Sequence, residues 1–101
     1  MIITGAPLGK TQFSDVSFWP ELQKIMDWTT SHVTSTLYLC WAVQAAMYHF
    51  YGLNKRVMPN KLSGVYRHQL EQPLAPIVRG FDPVFNAPHS RYAEVPRSEI
   101  E

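Results

Sequence analysis

Apolar positions in the first half of the chain come in two patterns, short unbroken runs and runs spaced as one helix face. Residues 1–4 are a short apolar run ending at Gly5-Ala6-Pro7, which predicts a strand followed by a loop. Residues 8–17 are polar and predict irregular structure. Phe18, Leu22, Ile25 and Met26 fall at i, i+4, i+7 and i+8, the spacing of one helix face, so a helix is expected from Phe18 to about Thr30. Pro20 fits in its first turn, and Asp15 or Ser17 is placed to cap it. Residues 34–39 are β-branched and then continuously apolar, as buried parallel strands are. Residues 41–51 predict a second helix, stopped by Gly52 as a left-handed cap. Strand, helix, strand, helix in this order predicts a parallel sheet with crossover helices.

Beyond Gly52 the pattern weakens. Residues 54–60, with Pro59, predict a polar loop, residues 62–70 alternate weakly as a strand would, and residues 77–79 predict a short strand closed by Gly80. Pro83, Pro88 and Pro96 are expected to keep the chain out of long elements. The last residues, Pro96-Arg97-Ser98-Glu99-Ile100-Glu101, carry helix-start signals. With an opening inside a strand and a close at a helix start, residues 1–101 are expected to be a single fragment of a larger α/β domain.

The most informative residue is Cys40, the one cysteine of the chain. Thr36, Leu37, Tyr38 and Leu39 meet the helix-prone run from Ala42 with no turn residue between them. A residue at so sharp a strand-to-helix junction is pushed out at the sheet top, and the helix behind it aims its first amides and positive dipole end at that side chain. This is where a nucleophile sits with donors ready for an oxyanion. The competing reading is a small buried hydrophobe, the ordinary state of a lone cysteine.

Composition narrows the field. One hundred and one residues with 46% hydrophobic and 17% charged content suit one small globular domain. A net charge of +1 argues against a nucleic-acid binder. A single cysteine excludes an internal disulfide and leaves zinc without a cysteine cluster, so no metal is expected. No apolar run is long enough to span a membrane, and the first residues lack the basic region of a signal peptide, so a cytoplasmic location is the default expectation.

Five stretches then identify a family: Ile3-Thr4-Gly5-Ala6-Pro7; Trp28 with His32-Val33-Thr34-Ser35-Thr36-Leu37; Cys40-Trp41-Ala42-Val43-Gln44-Ala45; Lys61-Leu62-Ser63-Gly64-Val65-Tyr66; and Ala87-Pro88-His89-Ser90-Arg91-Tyr92. Together they closely resemble the central part of the homoserine O-succinyltransferase family, which acylates homoserine at the start of methionine synthesis. The resemblance implies a fold similar to class I glutamine amidotransferases. That is a partial parallel-sheet sandwich of the flavodoxin-like α/β type, with a nucleophile elbow after the second strand. Tyr38 and Ala42 stand two before and two after Cys40, where amidotransferases carry glycine. The elbow therefore follows the succinyltransferase pattern.

The resemblance implies a ping-pong acyl transfer. Cys40 would attack the thioester of succinyl-CoA, a co-substrate rather than a cofactor, and L-homoserine would take the succinyl group. Trp41 and Leu8 would supply oxyanion-hole amides, since Pro7 has none. Lys61 and Ser90 match substrate-contacting positions of the family, and the adjoining Arg91 could clamp a carboxylate. Gly9 matches the position where acetyl-transferring relatives carry glutamate, so it favours succinyl-CoA by leaving room and removing a like charge. Its other reading is a loop glycine adopting an unusual backbone angle. The full-length enzyme is expected to be a homodimer, with no nucleic-acid or membrane partner.

One part is missing. The family base is a histidine in a downstream His-x-Glu motif, and no His-x-Glu occurs here. His32, His49, His68 and His89 do not match it, although His89 neighbours the substrate positions. The chain alone is therefore expected to be inactive. Two alternatives stay open: an amidotransferase-like cysteine hydrolase, and a non-catalytic truncated fragment.

Overall fold

The computed structural model describes residues 1–100. Its element order is β1 (Ile2–Ile3), a 3-10 turn (Phe13–Asp15), α1 (Trp19–His32), β2 (Leu37–Tyr38), α2 (Trp41–Tyr51), β3 (Arg56–Gln69), a second 3-10 turn (Pro76–Val78), β4 (Val84–Glu94) and α3 (Arg97–Ile100). The protein is mixed α/β, with two separate two-stranded sheets.

The first half follows the expected plan. β1 pairs in parallel with β2, Ile2 opposite Leu37 and Ile3 opposite Tyr38, and α1 makes the crossover. The ladder continues through Leu37 N–H to the Met1 carbonyl and Leu39 N–H to the Ile3 carbonyl, at 2.9 and 3.0 Å. Both strands are shorter than the apolar runs that predict them. α1 buries Trp19, Leu22, Met26 and Thr29, so Leu22 and Met26 hold their expected places. Phe18 and Ile25 are exposed instead, because the core lies toward the Trp19 side of the stripe. Pro20 does occupy the first turn. Asp15 and Ser17 do not cap it: the N-cap is Phe18, without a side-chain cap bond, and Asp15 belongs to the 3-10 turn. α2 ends as expected at Gly52, left-handed at φ 71°, its amide donating to the Tyr48 carbonyl.

The core lies where α1 and α2 meet. Phe13, Val16, Trp19, Leu22, Met26, Trp41, Ala45 and Ala46 form one buried cluster. Phe13 stacks on Trp19 at 5.2 Å and on Tyr48 at 4.8 Å between ring centroids, a geometry worth about 1 kcal/mol per pair beyond burial. Trp19 and Trp41 are core residues, while Trp28, Phe50 and Tyr51 are exposed. His49 on α2 bonds Asp27 on α1 through Nε2 at 2.6 Å, tying the helices together.

The second half departs from the sequence reading in three places. Residues 56–60 are strand, not loop: β3 starts at Arg56 and runs through Pro59 to Gln69. Residues 77–79 give no strand; a 3-10 turn covers Pro76–Val78. The segment with Pro88 is a long strand, Val84–Glu94, antiparallel to β3. The reason is common to both prolines. Each strand of a two-stranded sheet has one unpaired edge, where a residue lacking N–H removes no ladder bond. Pro88 lies opposite Val65, and Pro59 falls in the register irregularity between Val57 and Leu62. The parallel sheet thus ends at β1–β2, and the second sheet is an antiparallel hairpin. At the far end, α3 follows Pro96 as the start signals predict, while Glu101 lies outside the described residues.

Candidate active site

The site is built at the junction of β2 and α2. Leu39 accepts from the Ala42 amide and Cys40 from the Val43 amide, both at 3.0 Å, so the chain turns from strand to helix within one residue. Cys40 makes that turn with φ 57° and ψ −123°, and among the described residues it is the one non-glycine with positive φ. Such a conformation costs on the order of 1–3 kcal/mol and persists only where the surroundings enforce it. The thiol is free and exposed in this chain, unlike a buried hydrophobe. Trp41 begins α2, and its amide is among the four that an α-helix leaves without an intrahelical acceptor.

What allows the elbow to sit there is Gly5. A Cβ at Gly5 would lie 2.8 Å from Cys40 Cβ, 3.4 Å from its Sγ and 3.4 Å from the Trp41 nitrogen. The sequence places Gly5 in a loop after β1 but gives it no role. The parallel pairing of β1 with β2 is what brings it under the elbow.

The hairpin supplies the opposite wall. Gln44 donates from Nε2 to the Ala93 carbonyl at 3.0 Å, joining α2 to β4. Gln44 lies one helical turn after Cys40 and so shares its face; that spacing is the signal that could have singled it out. Ser90, Arg91 and Tyr92 on β4 are thereby carried to Cys40, with Lys61 on β3 beside them. A cavity of about 180 Å³ is lined by Ala6, Pro7, Gly9, Cys40, Trp41, Gln44, Lys61, Ser90, Arg91, Tyr92 and Ala93. A second hollow of about 280 Å³ adjoins it through Cys40, Gln44 and Arg91.

The structure thus gathers Cys40, Trp41, Gly9, Lys61, Ser90 and Arg91 around one space. Leu8 is beside it rather than in it: its amide donates to the Ala6 carbonyl at 2.8 Å and its side chain packs on the core. Receiving an oxyanion there would require that turn to open. Gly9 does not have the left-handed backbone that would by itself demand glycine. Its Cβ position meets Tyr92 Cβ at 3.4 Å. The loop around it is held by Lys55, whose Nζ donates to the carbonyls of Leu8 and Thr11 at 2.9 and 2.6 Å and lies 4.5 Å from the Phe13 ring centroid. Burial pushes the Lys55 ammonium below its ordinary pKa.

None of the four histidines lines this cavity. His89 points away to His68, Nε2 to Nε2 at 2.7 Å. Its pKa is lowered, first by burial, then by the Arg91 and His68 charges. Among the described residues, no group of three His, Cys, Asp or Glu could hold a metal, and no helix is long and apolar enough to cross a membrane.

Comparison with known proteins identifies the family. The family model for homoserine O-succinyltransferase matches residues 1–101. A homoserine O-succinyltransferase of Yersinia enterocolitica is 55% identical over 96 residues, which are 95% of this chain and 31% of that protein. One of Shewanella piezotolerans is 55% identical over 94% of this chain and 30% of its own length. A homoserine O-acetyltransferase of Parabacteroides distasonis is 54% identical over 99% of this chain and 32% of its own length. The chain therefore spans about a third of the length of the relatives it matches. Succinyl- and acetyl-transferring relatives stand equally near, so overall identity does not choose the acyl group. The chain belongs to the homoserine O-succinyltransferase family.

Proposed function

We propose that this chain is the nucleophile-bearing segment of a homoserine acyltransferase, and that its acyl donor is succinyl-CoA. The observation that carries the reading is the convergence of a strained, exposed cysteine with Gly9, Lys61, Ser90 and Arg91 on one cavity. In the first step the Cys40 thiolate attacks the thioester carbonyl. The oxyanion is received by the Trp41 amide, and the bond to the CoA sulfur breaks, releasing CoA thiolate, which takes up a proton. Thiol and leaving group are chemically alike, so this exchange is nearly balanced. In the second step the homoserine hydroxyl attacks the acyl-cysteine. Its proton goes to a base, the ester is released, and Cys40 returns as thiolate.

Lys61 offers a compact cation for a carboxylate or the thioester carbonyl, Ser90 a donor and acceptor for an alcohol-bearing amino acid, and Arg91 a fork for a carboxylate. Gly9 favours the succinyl group by leaving room beside Tyr92. The base is not offered by the histidines of this segment, because none lines the cavity and no His-x-Glu is present. The segment is accordingly half of a site within a longer amidotransferase-like α/β enzyme. A hydrolase reading shares the nucleophile but leaves Lys61, Ser90 and Arg91 without a purpose.

The test uses the full-length protein that contains this segment. Incubation with succinyl-CoA should give a succinyl adduct on Cys40 by intact mass and peptide mapping, resolved by homoserine but only slowly by water. Cys40→Ala should give none. Absence of an adduct in the wild type, or its rapid hydrolysis without need of homoserine, overturns the reading. The isolated 101-residue chain should show no turnover, and measurable homoserine acylation by it would overturn the half-site view.

A further inference from the structure

We propose that Lys10 and Lys61, both set over the ring of Tyr92, form an anion-binding subsite for the acyl donor, with Lys10 an unassigned specificity residue; this rests on acyl transfer at Cys40. Lys10 Nζ lies 4.3 Å and Lys61 Nζ 5.4 Å from the Tyr92 ring centroid. A cation within about 6 Å of an aromatic centroid is attracted by the ring. Three separate elements build the arrangement. Lys10 follows Gly9 in the loop after β1, Lys61 is on β3, and Tyr92 is on β4. Lys61 and Tyr92 also line the cavity that holds Cys40, whereas Lys10 lines a small neighbouring hollow with Thr11 and Lys55 and is linked to that cavity through the Tyr92 ring.

Among the described residues, no carboxylate pairs with either lysine. The ion pairs among the described residues are His49 with Asp27, Arg56 with Glu94 and Arg97 with Glu71, none involving Lys10 or Lys61. Arg91, next to Tyr92, lines the same cavity, and its enclosed Nε has no hydrogen-bond partner. Like charges gathered without a counter-charge repel one another, and the ring face offsets only part of that cost. An arriving anion would offset the rest.

The chemistry that fits is an anionic group on a thioester donor: the free carboxylate of a dicarboxylic acyl group, or a phosphate of its carrier. Both are anions on the same donor, and the choice of donors in the experiment separates them.

The experiment compares the wild-type full-length protein with Lys10→Met and Lys10→Arg, using four donors: succinyl-CoA, acetyl-CoA, S-succinyl-N-acetylcysteamine and S-acetyl-N-acetylcysteamine. Lys10→Met should raise the KM for succinyl-CoA about tenfold, the loss expected for one charged hydrogen bond, with kcat little changed, and Lys10→Arg should restore most of it. A carboxylate contact carries the loss to the truncated succinyl thioester and spares acetyl-CoA. A phosphate contact carries it to both CoA donors and spares both truncated thioesters. Either result supports the subsite. An unchanged KM for succinyl-CoA, or an equal loss with S-acetyl-N-acetylcysteamine, which carries neither anion, overturns it. A wild-type protein that acylates homoserine from no donor would refute acyl transfer itself, a separate outcome.

Discussion

Gly5 lies so close to Cys40 that a single added carbon would stand 2.8 Å from the cysteine Cβ. Cys40 cannot yield easily, because its backbone is already strained at φ 57° and helix α2 starts at the next residue. Gly5→Ala should therefore displace the elbow rather than unfold the chain. A displacement near 1 Å costs on the order of 100-fold in rate. The rate of Cys40 acylation in the full-length protein should fall by about 10- to 100-fold with a near-normal far-UV spectrum, and an unchanged rate would mean that the elbow can move aside freely.

Gly9 is a different kind of glycine. Its backbone is not left-handed, and its Cβ position is in near-ordinary contact with Tyr92 at 3.4 Å. A side chain can be tolerated, and glutamate would bring a carboxylate to the acyl pocket. Gly9→Glu should lower kcat/KM for succinyl-CoA by at least about tenfold while retaining acetyl-CoA. The ratio of the two specificity constants is the measurement, and an unmoved ratio would remove Gly9 as a selector.

Lys55 ties the Gly9 loop from behind through two carbonyls and the Phe13 ring. Its removal leaves the Leu8 and Thr11 carbonyls without that donor. Lys55→Met should cost about 1–2 kcal/mol of stability and raise the donor KM with less effect on kcat. Chemical denaturation and steady-state kinetics on the same variant check both. Retained KM with lost stability would reduce Lys55 to a purely structural tie.

His68 and His89 share one Nε2–Nε2 hydrogen bond, which needs one unprotonated ring nitrogen. Tyr66 and Phe85 pack against the pair. Burial, with the charges of Arg91 and His68, holds the His89 pKa below its ordinary 6.5. The folded hairpin then binds fewer protons than the unfolded chain, so its stability is present above pH 6.5 and is lost as pH falls through that region. Melting temperature should drop between pH 7.5 and 5.5, and His89→Gln should flatten the drop. Equal slopes for the two proteins would exclude the pair as the cause.

The first half of the molecule was legible because its signals are local. The apolar stripe through Leu22 and Met26, Pro20 at a helix start and Gly52 at a helix end act within a few residues of themselves. The second half was misread where pairing overrode local cues. Pro59 and Pro88 look like strand breakers, yet β3 and β4 each have a free edge that costs a proline nothing. Val78 lies in an apolar stretch but found no partner strand, and it became part of a turn.

By itself the sequence determined the chemical parts: a lone cysteine at a strand-to-helix junction, a family pattern around it, cationic and hydroxyl groups downstream, and no matching base. Only the tertiary structure decided which of these meet. Gln44 reaching Ala93 brings the hairpin onto α2, and β1 pairing with β2 sets Gly5 beneath Cys40. Lys10 and Lys61, 51 positions apart in the numbering, both meet the Tyr92 ring for the same reason. Residue type is a property of the chain, but proximity comes from long-range pairing, which local patterns do not encode.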